Sequence, residues 1–401
     1  MTDHSQNSLL KDVMPFWVDH SPDHKHGGYF TCLDTKGNVF DTDKFIWLQA
    51  REVWMLSKFY NVLSEDVLNA KGLNGKETRQ KWLDLAKLGA DFLREHGYDK
   101  STGYFYFSLR RDGVPLVAPY NIFSDCFAAM AFAQYYKATN LEWAKELSLK
   151  TFENIQIRKS NPKGQWTKAM PGSRALKSLS IPMIDINLCI EMSEAISGLD
   201  VEQRIQENIH LVMDTFLDEQ GFFHENVPEN PENPGEFSDS FDTRLVNPGH
   251  SIEALWFIMN AAAQRGMKDL VKKAADCIVA TIEYGWDKEH GGIFYFLDKD
   301  GKPPQQLEWD QKLWWVHAET LVALSLAFQL TKEEKFAKWY KIIHEYTWSH
   351  FPDPTNGEWF GFLNRRGEVL LQLKGGKWKG CFHVPRCLYL CATIFDEIKK
   401  M

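Results

Sequence analysis

Six times along this chain a polar or ionisable side chain opens an apolar run of helical length, and the runs recur at near-regular intervals. The six are Arg51 in WLQAREVWML, Asp125 in NIFSDCFAAM, Asp185 in PMIDINLCIEM, His250 in NPGHSIEALWF, His317 in WWVHAETLVAL and His383 in CFHVPRCLYL. Between them lie amphipathic segments, at 77–97, 142–159, 267–286 and 333–350, with charges confined to one side. A helix that is apolar nearly all round must be covered on every side, and one-sided helices supply that cover. Repetition of the pair predicts an all-α fold, an (α/α)6 toroid barrel of six helical hairpins. The six opening residues are then expected to converge on one mouth.

A second repeat accompanies the first. DHKHGGYFTCLDTKG (23–37), DKSTGYFYFSLRRDG (99–113), DKEHGGIFYFLDKDG (287–301) and DPTNGEWFGFLNRRG (353–367) share an Asp, a Gly-containing turn, alternating aromatics and a polar-Gly turn. Residues 218–227 and 161–170 read as degenerate copies. Each predicts a short β-hairpin at the barrel mouth.

Across 401 residues no Pro/Ser/Gly-rich linker or charge block divides the chain, so 1–401 reads as a single barrel domain. A net charge of −8 argues against a nucleic-acid partner. No apolar stretch has the length to span a bilayer, and MTDHSQNSLLKD is too polar for a signal peptide, which predicts a cytoplasmic protein. Seven cysteines form no CxxC pair and read as reduced thiols; no Cys/His cluster has metal-ligand spacing, so no metal is expected.

The side chains able to carry chemistry each have a plainer reading. His250 follows Asn247-Pro248-Gly249, and Glu253 falls one turn below it. It is either a first-turn histidine satisfied by hydrogen bonds or a base kept neutral by the helix N-terminus and oriented by Glu253. His383, in GGKWKGCFHVPR, is either a core histidine or a base whose pKa is lowered by Lys377, Lys379 and Arg386, cations that also attract an anionic intermediate. Arg51 is either half of an internal salt bridge with Glu52 or a permanent cation for a developing oxyanion. Asp125 and Asp185 are first-turn acids or substrate ligands. Of His317 and Glu319, which cannot share a helix face, Glu319 is expected to face the cavity. Trp315, in KLWWVHAE, suits stacking on a sugar ring.

The strings YNIFSDCF (120–127), RALKSLSIPM (174–183), NPGHSIEALWF (247–257), KLWWVHAE (312–319) and GGKWKGCFHVPR (375–386) resemble the N-acylglucosamine 2-epimerase family, in order and over nearly the whole chain. The resemblance implies an (α/α)6 barrel, usually a homodimer, that interconverts N-acetylglucosamine and N-acetylmannosamine. Matched motif by motif, it makes His250 and His383 the acid/base pair, with Arg51 and Glu253 assisting. It implies substrate-binding positions at Lys177 and Glu319, to which Arg174, Asn121, Asp125 and Trp315 are added. Asn121, Asn187 and Ser178 are the alternatives for reading the N-acyl amide. No cofactor is required for the chemistry, and ATP is implied as an activator that is not consumed. Related barrels act on unsubstituted sugars such as cellobiose and mannose, and a glycoside hydrolase using two carboxylates is the more distant alternative.

Inversion at C2 of an aldose needs a C–H bond made acidic by the adjacent aldehyde, so the ring opens first. One histidine removes the proton from one face and the other delivers a proton to the opposite face. Arg51 stabilises the oxyanion at O1.

Overall fold

The computed structural model of the protein describes residues 2–168, 170, 173, 175–230 and 239–400. The apolar runs form six inner helices: α3 (Ile46–Val62), α6 (Phe123–Thr139), α8 (Ser180–Ala195), α11 (Pro248–Gln264), α13 (Trp314–Thr331) and α15 (His383–Lys400). Each packs on the next in that order. The ring closes where Phe59 of α3 meets Tyr389 of α15 with centroids 5.7 Å apart. Every residue of α13 from Trp314 to Ser325 is buried, as a helix enclosed on all sides requires.

Five outer helices follow their inner partners: α5 (Gly75–His96), α7 (Glu142–Arg158), α9 (Glu202–Leu211), α12 (Lys268–Gly285) and α14 (Glu334–His350). Two short helices, α4 (Glu65–Ala70) and α10 (Phe241–Arg244), lie in connections. The outer helices bury one face only. In α5 that face is Trp82, Leu85, Ala86, Gly89, Ala90, Phe92 and Leu93, the three- and four-residue spacing of a helical stripe. Gly89 is required by close approach: a Cβ there would overlap the Tyr29 phenol, whose hydroxyl donates to the Leu85 carbonyl at 2.7 Å.

The sixth outer helix comes from the other end of the chain. α1 (Thr2–Ser8) and a π-helical turn at Leu9–Val13 cover α15, burying Leu9, Leu10 and Val13, and α2 (Met14–His20) continues from them. The last hairpin of the barrel therefore joins the two ends of the sequence. Trp17 fastens it by donating to Glu358 at 2.6 Å, and that carboxylate also takes Lys379 at 2.8 Å.

The predicted hairpins are borne out in part: Ser108–Leu109 folds back across its polar-Gly turn onto Pro115–Val117, and single bridges join Leu33 to Val39 and Leu363 to Val369. Each Asp-Gly turn is closed by a single bridge, as between Pro22 and Tyr29, Tyr98 and Phe105, or Trp286 and Ile293. The strand that follows each Asp-Gly turn pairs in addition with the lead-in to the preceding inner helix, a partner the template does not name. Lys44–Phe45 pairs with Ser108–Leu109, Leu245–Val246 with Leu297–Asp298, and Lys312–Leu313 with Phe362–Leu363, all antiparallel. Alternating aromatics announce a two-sided strand without naming its partner. The segment 161–170 forms a 3-10 turn at Gly164–Trp166 instead.

The turn aspartates explain the repeat's leading letter. Asp23 accepts from the backbone of Lys25 and His26 at 3.1 and 3.2 Å, and Asp287 from Glu289 and His290 at 3.0 and 3.2 Å. Each then holds a fully buried lysine of the lead-in strand, Lys44 at 3.0 Å and Lys312 at 3.1 Å. An arginine of the next turn, Arg111 or Arg365, completes each group. These ion pairs lock the two turns to the strands that aim α3 and α13.

Candidate active site

The inner helices start at the mouth, and three of them bring their first turns together there. On α11, the Asn247 side chain accepts from the His250 backbone N–H at 3.1 Å, an N-cap that fixes the helix start at the histidine. The His250 Nδ1–H donates to Glu225, whose two oxygens lie 3.0 and 2.9 Å away. On α15, His383 is the first helical residue, and its Nδ1–H donates to Glu319 at 2.7 Å. A carboxylate only accepts, so both rings carry a proton on Nδ1 and turn Nε2 away from the protein partner. The Trp315 indole lies between them, 5.2 Å from the His250 ring and 5.9 Å from the His383 ring.

The two imidazoles sit in opposite fields. Burial works against a charged His250, but the Glu225 carboxylate outweighs it and raises the pKa above that of a free histidine. At His383 burial and then the nearby Arg51 and Arg386 guanidinium groups act together, and the pKa falls well below the usual value. One ring is thus favoured as imidazolium and the other as neutral imidazole.

Glu319 is fully occupied. Beyond His383 it accepts from Arg386 at 2.6 Å and from the Trp256 indole at 2.9 Å. Arg386 reaches Glu253 as well, at 2.9 Å. Glu253, Glu319 and His383 bring ligand-type atoms within 4.8 Å of one another, and the Arg386 guanidinium supplies the cation that binds the two carboxylates. The expectation that Glu253 orients His250 is corrected: Glu225 does so, and Glu253 serves Arg386. Glu319, read as a substrate ligand, spends its lone pairs on His383, Arg386 and Trp256.

Arg51 departs from the salt-bridge reading and keeps the other. It forms no ion pair with Glu52, which hydrogen-bonds to the Ser21 hydroxyl on the other side of α3. Its guanidinium lies among three aromatic faces, 4.0 Å from Phe127, 4.3 Å from Trp47 and 4.6 Å from Phe382. Nε has no hydrogen-bond partner. Burial pushes its pKa down to about 9, which still leaves the group charged at neutral pH. A buried cation without a carboxylate of its own is suited to an oxygen that becomes negative during reaction.

The six opening residues do not all converge, because they occupy different phases of their helices. Asp125 points outward, buried against Arg158 at 2.8 Å, and accepts from the Phe105 backbone at 3.2 Å. It is a structural tie rather than a substrate ligand. Asp185 is held by Arg204 and by Asn208 at 2.8 Å. His317 accepts from the Ile293 backbone at 3.1 Å and donates to the Leu313 carbonyl at 2.7 Å. Gln49 accepts from Tyr29 at 2.7 Å and Ser251 from Phe223 at 3.3 Å in the same manner. Gln49, Asp125, Ser251 and His317 form one set, tying each turn to its inner helix.

Asn121 is also committed locally, since its side chain accepts from the Phe123 N–H at 3.0 Å ahead of α6. Lys177 lies half-buried on the ladder Leu176–Ser178, opposite Val227. Asn187 lies buried on α8, its amide 3.9 Å from the Met130 sulfur. Arg174 lies outside the described residues. Glu225 is the residue that sequence reasoning missed. It sits in GFFHENV, where the turn motif is most degenerate.

A profile of the N-acylglucosamine 2-epimerase (GlcNAc 2-epimerase) family matches residues 28–387. The chain is 36% identical to the N-acylglucosamine 2-epimerase of Bos taurus, over 97% of this chain and 90% of that protein. It is 24% identical to the cellobiose 2-epimerase of Bacteroides fragilis, over 98% of each. Among solved structures, the cellobiose 2-epimerase from Bacillus thermoamylovorans B4167 aligns with a TM-score of 0.79 at 21% identity, covering 98% of this chain and 99% of that one. That likeness concerns the fold.

Proposed function

We propose, from the premise that the chain belongs to the N-acylglucosamine 2-epimerase family, that it interconverts N-acetylglucosamine and N-acetylmannosamine. The observation that carries the reading is the pair of imidazoles flanking one indole, each with Nδ1 held by a carboxylate. Inversion needs two bases on opposite sides of a planar intermediate, since a single base tends to return the proton to the face it came from. In the ring-opened sugar the C1 aldehyde acidifies C2–H. One imidazole takes that proton through Nε2, the electron pair moves into the C2–C1–O1 system, and the other imidazole protonates C2 on the opposite face.

The oxygen at C1 becomes negative in the middle of this sequence. Arg51, with its free N–H groups, donates to it there; a single donor of this kind contributes roughly 2.7–4 kcal/mol. Trp315 provides an apolar face for the sugar between the histidines. Glycoside hydrolysis fits the site less well, because Glu253 and Glu319 are both bound to Arg386 and neither stands free as an acid or nucleophile.

The N-acyl substrate is preferred over cellobiose because the N-acylglucosamine 2-epimerase relatives are the more similar ones. Activation by ATP and a homodimeric assembly belong to the same proposal, through the family. As to the membrane, no helix among the described residues is long and apolar enough to cross one.

The test is proton NMR of the purified protein with N-acetylmannosamine in D2O. The reading expects N-acetylglucosamine carrying deuterium at C2. Conversion of cellobiose or mannose with N-acetylmannosamine left untouched would move the protein to another sugar.

A further inference from the structure

Glu225 has no role in the chemistry derived so far, yet it is among the most firmly placed acids in the barrel mouth. Its backbone N–H donates to the Leu245 carbonyl at 2.8 Å, and its own carbonyl accepts from Leu179 at 3.0 Å. The residue therefore bridges the lead-ins of α8 and α11, and directly precedes the strand Asn226–Pro228. From that mooring both carboxylate oxygens reach His250 Nδ1, at 3.0 and 2.9 Å. No arginine or lysine forms an ion pair with Glu225 among the described residues.

The arrangement at His383 is the electrical opposite. Its carboxylate, Glu319, is shared with Arg386 at 2.6 Å, and Glu253 is bound to the same guanidinium at 2.9 Å. Arg51 adds a further positive charge to that side. Two carboxylates face two guanidinium groups there, and nothing is left over to favour a third cation. Around His250 the facing groups are Glu225, Glu253, the neutral phenol of Tyr295, His383 and, on the ladder beside Glu225, Lys177. Of these groups, among the described residues, the Glu225 carboxylate alone hydrogen-bonds to the ring.

We propose that Glu225 is a positioning residue that holds the site's one mobile proton on His250, so that a turnover from the resting enzyme begins with His383 as base and His250 as acid. The inference rests on the two-histidine reading of the site. In that turnover His383 gains the proton from C2 and His250 gives one to the opposite face. Return of a proton from His383 to His250 through solvent restores the resting state, and Glu225 drives that return. The epimer that presents its C2–H to His383 is the one the resting enzyme accepts directly.

The test uses Glu225→Gln, which keeps a carbonyl acceptor for Nδ1–H and removes the charge, with Glu225→Asp as the charge-restoring control. The readout is the pH profile of kcat/KM in both sugar directions. Loss of the carboxylate lowers the pKa governing loss of the single proton, so the basic limb moves to lower pH. A displacement of about one pH unit gives an approximately tenfold loss above the limb, equal in both directions because the equilibrium constant is fixed. Glu225→Asp returns the limb towards its original place. A profile for Glu225→Gln that superimposes on the wild type after scaling would leave Glu225 with packing alone and overturn the proposal.

A second measurement needs no active variant. In protein labelled with 13C-histidine, the ring signal missing from His250→Asn should titrate above the range of a free histidine in the unliganded wild type. Titration of that signal below the range of a free histidine would also overturn the proposal. Failure of the wild type to epimerise N-acetylmannosamine would refute the functional reading and leave this titration unaffected.

Discussion

Replacing Arg51 by Met should cripple the enzyme at little or no cost in stability. Burial brings Arg51 down to about 9, whereas a free guanidinium keeps its proton to strongly alkaline pH, ~3.5 units higher. At roughly 1.4 kcal/mol per pH unit this difference is a penalty on the order of 5 kcal/mol for the buried charge. Below pH 9 the folded and unfolded forms are both protonated, so the penalty is carried in full at neutral pH. The rings of Phe127, Trp47 and Phe382 at 4.0–4.6 Å offset part of it, about 0.5–2 kcal/mol per desolvated cation–π contact. Met fills the same aromatic cage without a charge. Three such contacts return roughly 1.5–6 kcal/mol, leaving a net change between a loss of about 1 and a gain of about 3.5 kcal/mol. The catalytic loss should be about 10²–10³ in kcat, as for removal of a single oxyanion donor. Because Arg51 also depresses the pKa of His383, the acidic limb of the pH–rate profile should move to higher pH. Urea unfolding followed by far-UV circular dichroism gives the stability, and NMR of sugar turnover gives the rate. A variant that is less stable than the wild type while keeping its kcat would make Arg51 an ordinary structural cation and refute the reasoning.

Other outcomes follow from the same contacts. Glu52 is buried beside Ser21, with one oxygen unpartnered, and burial pushes its carboxyl up to about 8. The unfolded chain releases that proton near pH 4.3, so stability present below this pH is lost as pH rises towards 8, at about 1.4 kcal/mol per unit. Glu52→Gln should flatten that slope in urea midpoints taken at pH 5, 6.5 and 8; a parallel slope in the variant would mean that Glu52 is already ionised. Gly89→Ala should cost about 1–3 kcal/mol by forcing a Cβ into the Tyr29 ring, and unchanged thermal unfolding would contradict the contact. Glu319→Gln removes the charge shared by His383 and Arg386. It should lower kcat and leave Arg386 only Glu253, and an unaltered kcat would remove Glu319 from the proton-transfer machinery.

Much of the fold was legible because helix periodicity and burial are local properties of the chain. The six apolar runs became the six inner helices, and His250 and His383 opened two of them as their Asn-Pro and Gly-rich approaches indicated. What escaped was information held between segments. The hairpin template announced strands but not that Ser108–Leu109 pairs with Lys44–Phe45 as well as across its own turn. The closing of α15 by α1 and the turn after it joins residues at opposite ends of the chain, where no periodicity links them. Asp125, Asp185 and His317 resembled His250 in being polar openings of apolar helices. A phase difference of one or two residues turns a helical side chain from the cavity to the outer layer, and these three became ties to the turns and outer helices. Glu225 was invisible for a further reason: its significance depends on His250, a turn away across a strand ladder, in the least regular copy of the repeat.

The claim at the centre of this account is that C2 is served by two imidazoles, one on each face. Exchange of C2–H into D2O, followed by NMR for each sugar separately with His250→Asn and His383→Asn, tests it most directly. Neither variant should epimerise, but each retains one base and Arg51. His250→Asn should therefore wash out C2–H from one epimer only, and His383→Asn from the other only, each sugar keeping its configuration. Epimerisation surviving in either variant, or washout of both epimers by one variant, would contradict a two-base inversion.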